Sequence, residues 1–419
     1  MVVESWLARA ARERPDVPAV NELGYGALYA RARAAAGGLP RGARVGLALA
    51  PGTDFVVVLH AALLAGALVV PIDLRLPREA WPAVDVLVEE PLPARCAAGA
   101  DRRDEHDLDA PAIVVHTSGT TSAPKPIRLT YGNWLWSALG SAVALGVDPA
   151  ERWLCALPLS HVGGLSIVLR SAIYGTTAIV HERFDTDRVL ALLRRPDGPT
   201  VVSLVPTTLA RLLDAGLTHP PALRWALLGG APLPDALLAR AADAGVPVAP
   251  TYGLTEACSQ VTTHGVPLFC TRVVLDGREG EIVVSGPTVS PDAGAVLRTG
   301  DLGAFDEDGL LHIVGRKADT IVTGGENVAP AEVEAVLEAH PGVAEAAVVG
   351  RPDPEWGEAI VALVRRREGV GAAVDELTLR EHCAARLARF KAPKSYIFID
   401  APLPRTGSGK LLRRELPLG

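Results

Sequence analysis

The chain has 419 residues, 49% of them hydrophobic and 21% charged, and a formal net charge of −7. That length exceeds one ordinary core and suggests two or three folded units of a globular protein. The acidic balance, with no basic block, excludes a general nucleic-acid binder.

Five cysteines, Cys96, Cys155, Cys258, Cys270 and Cys383, are scattered without C-x-x-C spacing. This pattern excludes an obvious zinc site or disulfide framework and fits a reducing cytoplasm. The first twelve residues carry charges inside an apolar run and read as an amphipathic helix, not a signal peptide. The most apolar window, 55–71, contains His60 and Gly66 and ends in a proline before Asp73. It is short for a membrane span and reads as a buried helix followed by a buried strand.

Helix and strand alternate through the first 90 residues. Helical patterns cover 27–37 and 54–65, and apolar strands cover 45–50, 68–72 and 84–88. Continuous apolar strands between helices predict a parallel sheet covered on both faces. Residues 91–111, rich in Pro and Ala, read as a connection. The alternation resumes with strands expected at 112–115, 126–130, 153–157, 177–180, 201–205, 225–228 and 246–250. Helices are expected at 131–145, from 164 to 174, and at 186–194, 207–214 and 235–244. This is the rhythm of open, doubly wound α/β architecture, in which ligands sit beyond the carboxyl ends of the strands. The polar turns at 117–125, 158–164, 229–231 and 252–256 all follow strands and could line one crevice.

Residues 279–286 and 296–303 suggest a small β subdomain. After a strand at 310–314 the chain reads as a separate small α+β unit. Its helices are expected at 331–340 and 376–388, and its strands at 343–349, 359–364 and 395–399. The predicted division is an N-terminal domain, 1–317, hinged to a C-terminal lid, 318–419.

The stretch Thr117-Ser-Gly-Thr-Thr-Ser-Ala-Pro-Lys125 places hydroxyls, free amides and one lysine between two strands. Such a loop suits polyphosphate oxygens. A polar surface turn is the other reading. It is not a Walker A loop, which needs G-x-x-x-x-G-K-[ST] running into a helix. Lysine is scarce: only Lys125, Lys317, Lys391, Lys394 and Lys410 occur. Scarcity makes Lys125 and Lys410 candidates for specific roles.

Six separated segments in order resemble the acyl-adenylate-forming (AMP-binding) ligase superfamily. They are 117–125, Tyr252-Gly-Leu-Thr-Glu256, Thr299-Gly-Asp301, Gly315-Arg316, the glycine-led segment 324–334, and Pro404-Arg-Thr-Gly-Ser-Gly-Lys410. The resemblance spans about residues 5–415 and implies the cofactors and substrates ATP, Mg²⁺ and CoA. A carboxylate attacks the α-phosphorus of ATP, pyrophosphate leaves, and the acyl adenylate passes to a thiol. Positioning and electrostatics carry most of such a transfer.

By this resemblance, Thr117, Ser118, Gly119, Thr120, Thr121 and Lys125 take the phosphates. Glu256 holds Mg²⁺ with Thr121. Tyr252, Gly253 and Thr255 surround the adenine, with Gly229, Gly230 and Ala231 as the slot wall. Asp301 takes the ribose hydroxyls, and Arg316 the ribose or phosphate. Lys410 bridges carboxylate and α-phosphate, and a solvated basic tail is its alternative. Gly324, Gly325 and Glu326 serve the thioester step. His161 gates the thiol path or, alternatively, caps a helix start.

Within the superfamily the closest resemblance is to the o-succinylbenzoate–CoA ligases, carried by 158–175, 227–234 and 251–260. That implies a dicarboxylic aromatic acid in a pocket drawn from His161, Gly164, Arg170, Ser259, Gln260 and Thr262. Arg170 would meet the second carboxylate; a surface arginine in a local ion pair is the alternative. Another aryl- or acyl-CoA ligase, and a non-catalytic nucleotide-binding relative, are competing readings. Ser122 and Pro126 stand where the family usually has glycine, and Ala318 where the hinge usually has Asp or Lys. No membrane span and no nucleic acid are expected, and a homo-oligomer is left open.

Overall fold

A computed structural model describes residues 1–93, 104–117, 125–277, 280–367, 374–405 and 411–417. The described chain divides into two units. The first comprises Met1–Gly229, Ala241–Val273 and Val284–Leu297; the second comprises Gly230–Arg240, Val274–Val283 and Arg298–Gly419.

The first unit holds two large sheets beside a two-stranded one. One has five strands in the order Val86–Val88, Arg44–Leu47, Leu68–Pro71, Pro111–Thr117, Lys125–Thr130. The first four run parallel and the last is antiparallel. The helix Thr53–Ala65, buried at every residue from Phe55 onward, connects two of these strands. A helix apolar all round can only lie inside, so it forces a covered parallel sheet. It stops at Gly66, whose φ of +69° closes the last turn cheaply.

The second sheet has nine strands. Its order is Val266–Pro267, Ser259–Thr263, Val248–Leu254, Trp225–Leu228, Val201–Leu204, Arg152–Cys155, Thr177–Val180, Pro18–Val20, Leu23–Gly24. The centre is parallel and both margins are antiparallel. The strands Arg152–Cys155, Thr177–Val180 and Val201–Leu204 are buried almost throughout, matching their continuous apolar runs.

Sequence and structure differ in instructive places. The segment 91–111 is not all connection: Glu105–Asp107 pairs antiparallel with Val2–Glu4. The N-terminal helix accordingly starts later, at Trp6. The strand expected to end at 250 continues to Leu254. Tyr252 and Gly253 thus lie in a strand and not in a turn, because the antiparallel strand Ser259–Thr263 supplies ladder partners.

The strand Leu297–Phe305, in the second unit from Arg298 onward, forms an antiparallel hairpin with Leu311–Arg316. A separate sheet runs Glu326–Val328, Ile321–Thr323, Gly357–Arg366, Val343–Asp353, with Ser395–Ile399 parallel to Gly357–Arg366. The helices Pro330–Glu338 and Glu376–Ala384 accompany it, and Val333, Leu337, Leu379 and Cys383 share the core of its strands. The short strands at 321–323 and 326–328 escape a sequence reading because each is only three residues long.

Among the described residues, no helix is long and apolar enough to cross a membrane.

Candidate active site

Thr117 and Lys125 are cross-strand partners at the mouth of the hairpin that carries the hydroxyl-rich loop. The Thr117 hydroxyl donates to the Lys125 carbonyl at 3.4 Å, and the Lys125 side chain is exposed. Ser118, Gly119, Thr120 and Thr121 lie outside the described residues.

The lysine-bearing strand is tied to the Glu256 turn through one serine. Ser290 Oγ donates to the Arg128 carbonyl at 2.7 Å, and the Ser290 amide donates to the Glu256 carbonyl at 2.7 Å. Arg128 also holds Asp292, with Nε 2.8 Å from Oδ1. Ser290 thereby couples two motifs that lie far apart in sequence. Nothing in its own neighbourhood, Val289-Ser-Pro-Asp292, announces that role.

Tyr252 and Gly253 sit at a register shift in the strand Val248–Leu254. A Cβ on Gly253 would collide with the Ser259 carbonyl. Only glycine therefore lets the two backbones approach. Cys258 and Ser259 both have positive φ, 52° and 91°. Such strain in non-glycine residues costs energy and clusters at functional turns. Thr255 and Glu256 occupy the short 3₁₀ turn between the two strands. A Cβ on Gly229 would meet the Thr251 carbonyl at 2.9 Å, so that glycine seats its chain against the same strand. Gly230, with φ +82°, and Ala231 belong to the second unit.

His161 precedes the helix Val162–Tyr174 but makes no side-chain cap there. Instead its Nε2 lies 2.9 Å from an Arg75 amine, and Arg75 donates twice to Asp73, at 2.7 and 2.5 Å. Burial and then the neighbouring Arg75 charge push the His161 pKa down. The ring stays neutral at pH 7, with Nε2 accepting from Arg75 and the proton on Nδ1. The Asp73 and Arg75 partners are invisible to a motif scan because they belong to the other half of the unit. Gly164 is required by packing: a Cβ there would strike the Pro158 carbonyl.

Arg170 is 3% exposed, so it is not a helix-surface arginine. One amine donates to Ser137 Oγ at 3.0 Å, and Ser137 in turn donates to the Cys258 carbonyl at 2.7 Å. The guanidinium lies 5.7 Å from the Trp153 ring. Its Nε is buried without a partner, and it makes no ion pair among the described residues. Burial pushes its pKa down, yet an arginine remains charged at any ordinary pH. Thr262 and Gln260 are buried on the strand that starts at Ser259, and Gln260 Oε1 also lacks a partner.

The second unit carries the remaining candidates. Asp301 and Arg316 face each other across the hairpin, with Nε 2.9 Å from Oδ1. Asp301 is 6% exposed. The Thr299 hydroxyl donates to the Ile282 carbonyl at 2.8 Å and accepts from the Asp301 amide at 3.0 Å, which shapes the turn at Gly300. Glu281, missed in the sequence, receives Arg298 at 2.7 Å and lies 3.7 Å from the Lys317 ammonium. Hydrogen bonding from Arg298 holds its carboxyl below the ordinary range.

Gly324 and Gly325 form the two-residue tip of a hairpin, with φ of +58° and +83°, and Glu326 is exposed beside them. Two positive φ values in succession are what a tight type I′ connection needs. The Gly324 amide donates to the Trp356 carbonyl at 2.8 Å, and a Cβ on Gly324 would lie 3.1 Å from the Trp356 ring. Lys410 lies outside the described residues. Three positions on, Arg413 binds both oxygens of Glu334, lies 3.3 Å from Asp319, and donates to the Val348 carbonyl at 3.0 Å.

No group of three metal-ligating side chains occurs among the described residues. A single carboxylate such as Glu256 suits Mg²⁺ that is bound chiefly through substrate phosphates. It would not suit a metal that needs an all-protein cage.

The AMP-binding enzyme family matches residues 7–84 and 80–292, and the AMP-binding enzyme C-terminal domain matches 332–410. The 2-succinylbenzoate–CoA ligase of Bacillus licheniformis is 36% identical, covering 98% of this chain and 99% of its own. The structure of the Bacillus subtilis o-succinylbenzoate CoA synthetase in complex with the acyl-adenylate intermediate superposes with a TM-score of 0.88. Its identity is 32%, over 100% of this chain and 98% of that one. The same enzyme in complex with ATP and magnesium ion gives a TM-score of 0.87 at 31% identity, over 99% and 100%.

Proposed function

The chain belongs to the AMP-binding enzyme family, and from that premise we propose that it is an o-succinylbenzoate–CoA ligase of menaquinone biosynthesis. It is an ATP-dependent, AMP-forming acid–thiol ligase, and its small-molecule substrates are a carboxylic acid, ATP and CoA. The single observation of this chain that favours the dicarboxylic acid is Arg170. A buried guanidinium with an unpartnered Nε and no carboxylate nearby is costly unless a ligand anion completes it. A monocarboxylic acid would leave that charge unpaired.

In the first half reaction one carboxylate oxygen of the acid attacks the α-phosphorus of ATP. The bond to the bridging oxygen breaks, and pyrophosphate leaves with its electron pair. Lys410 lowers the repulsion between the two anions and follows the charge on the α-phosphate. Lys125 and the hydroxyls of Thr117, Ser118, Thr120 and Thr121 hold the departing phosphates. Glu256, with Thr121, is the site for Mg²⁺, which neutralises phosphate oxygens when bound. Tyr252 stacks on adenine beside Gly229, Gly230 and Ala231. Asp301 takes the ribose hydroxyls, with Arg316 fixing its carboxylate orientation.

In the second half reaction a CoA thiolate attacks the acyl carbon, and AMP leaves. The C-terminal domain, 318–419, turns about the hinge and offers Gly324, Gly325 and Glu326 to the site. The glycine tip can approach closely because it has no side chain to clash. His161, held neutral by burial and by Arg75, swings clear of the thiol path. The use of ATP and CoA, together with cysteines that are free at positions 155, 258, 270 and 383, supports a cytoplasmic location.

The test is thioester formation with ATP, Mg²⁺ and CoA across o-succinylbenzoate, benzoate, a hydroxybenzoate and a medium-chain fatty acid. Preference for o-succinylbenzoate is expected. Turnover of another acid with o-succinylbenzoate ignored would remove the pathway assignment and keep the chemistry. Lys410→Ala should abolish adenylate formation far more than thioester formation from supplied acyl adenylate.

A further inference from the structure

The helix Tyr131–Leu145 is buried on one side and carries an apolar outer face. Trp136, Leu139 and Val143 follow one another at helical spacing and are 36%, 38% and 66% exposed. A surface helix ordinarily places charges there. Here no Asp, Glu, Lys or Arg occurs between Tyr131 and Val147. A second charge-free stretch, 257–271, lies against the same helix. Leu268 and Cys270 pack where a Cβ on Gly140 would stand, and the Phe269 ring is 6.3 Å from the Trp136 ring. At the far end, Trp225 donates to the Leu145 carbonyl at 3.0 Å and meets the His264 ring at 5.6 Å. Val147, Val266 and Phe269, exposed by 44%, 52% and 58%, extend the face.

We propose that this face, on the first unit, is the interface of a two-fold homodimer. The six side chains expose roughly 600 Å² of mostly apolar surface, the upper end of what a monomer carries without a partner. Apposed on its own copy, such a face buries about 1,200 Å² before any rim is counted, close to the roughly 1,600 Å² of a standard stable interface. Composition agrees, since interface centres favour Trp, Phe and Leu and are depleted of charge. Charge selects the occupant. Each chain carries a net −7, so copies repel wherever carboxylates face each other. A face built on two charge-free stretches is where they can meet, and an isologous contact asks for no complementary charge. A membrane surface would call for free Lys or Arg around the apolar residues; neither stretch supplies one, and Arg224, on the Leu145 carbonyl, is already paired with Glu151.

The experiment is sedimentation equilibrium of the full chain from micromolar to submillimolar concentration. Wild type, Val143→Glu and Phe269→Glu are compared, and each variant's melting temperature is checked against wild type. The expected result is a dimer mass for wild type and at least a tenfold weaker association in each variant, with melting of the isolated chain unchanged. Val143 and Phe269 are exposed, so the variants fold. A monomeric wild type throughout, or a dimer indifferent to both substitutions, overturns the proposal. So does wild type that stays monomeric but co-floats with phosphatidylcholine vesicles in a way either variant abolishes. None of these outcomes touches the ligase reading, which the thioester assay tests separately.

Discussion

Two arginines, one buried and one partly buried, show how differently the same side chain is used in the two units. Arg413, in the second unit, is surrounded by its own protein: both oxygens of Glu334, Asp319, and the Val348 carbonyl. Glu334 also accepts from the Val348 amide at 2.8 Å, so both partners are fully engaged. Arg170, in the first unit, has a serine hydroxyl, a ring face and a bare Nε. The first arrangement is a structural tie, because every nitrogen of the guanidinium already holds a protein partner. The second is incomplete as a structure and makes sense as a binding group. Satisfaction of donors separates the two roles: the more buried arginine is the one left with an unpartnered donor.

Three measurements break or sharpen this contrast. The largest effect is expected for Arg170→Leu. Losing the partner of a buried carboxylate costs about 2–5 kcal/mol, so kcat/KM for o-succinylbenzoate should fall by roughly two to three orders of magnitude. The melting temperature should hold or rise, since an unpaired buried charge is replaced by an apolar group. Unchanged kinetics for the dicarboxylic acid would remove Arg170 from the pocket.

Arg413→Met should do the reverse. It strands Glu334 and loosens the tie to Asp319, at a cost of about 2–4 kcal/mol of stability in the second unit. Thermal unfolding or hydrogen exchange across Pro330–Glu338 would register it. Unchanged protection in that helix would mean the tie contributes nothing.

The smallest effect tests the carboxylates around the tie. Burial raises the Glu338 pKa to about 7, and the nearby Glu334 and Glu345 charges add to the effect. The folded chain therefore holds this proton more tightly than the unfolded chain does. Stability from this group is fully present below the ordinary carboxyl pKa and is lost as pH rises toward about 7. Glu338→Gln, which can still accept from the Ala346 amide, should raise the melting temperature by roughly 2–4 °C at pH 8 and by little at pH 4.5. An equal gain at both pH values would remove the proton linkage.

The motifs were legible in the sequence because each is local. Hydroxyls and a lysine between two strands predict a phosphate loop, and the strands Pro111–Thr117 and Lys125–Thr130 flank it as expected. The alternation of apolar strands with helices announces the covered parallel sheets, since a helix such as Thr53–Ala65 has no polar face to show to water. The scarcity of lysine and the run of six ordered segments carry the ligase family as far as sequence can.

Tertiary structure alone decided the rest. It placed Arg75 and Asp73 on His161, Ser290 between Arg128 and Glu256, and Arg298 and Lys317 around Glu281. It extended the strand through Tyr252 because Ser259–Thr263 turns back to pair with it. It also told Arg170 from Arg413, which sequence leaves as two arginines among many. The physical reason is common to all of these. Periodicity and turn chemistry act over a few residues, whereas a hydrogen bond or an ion pair is satisfied by whatever the fold brings within about 3 Å, however far away it lies in the chain.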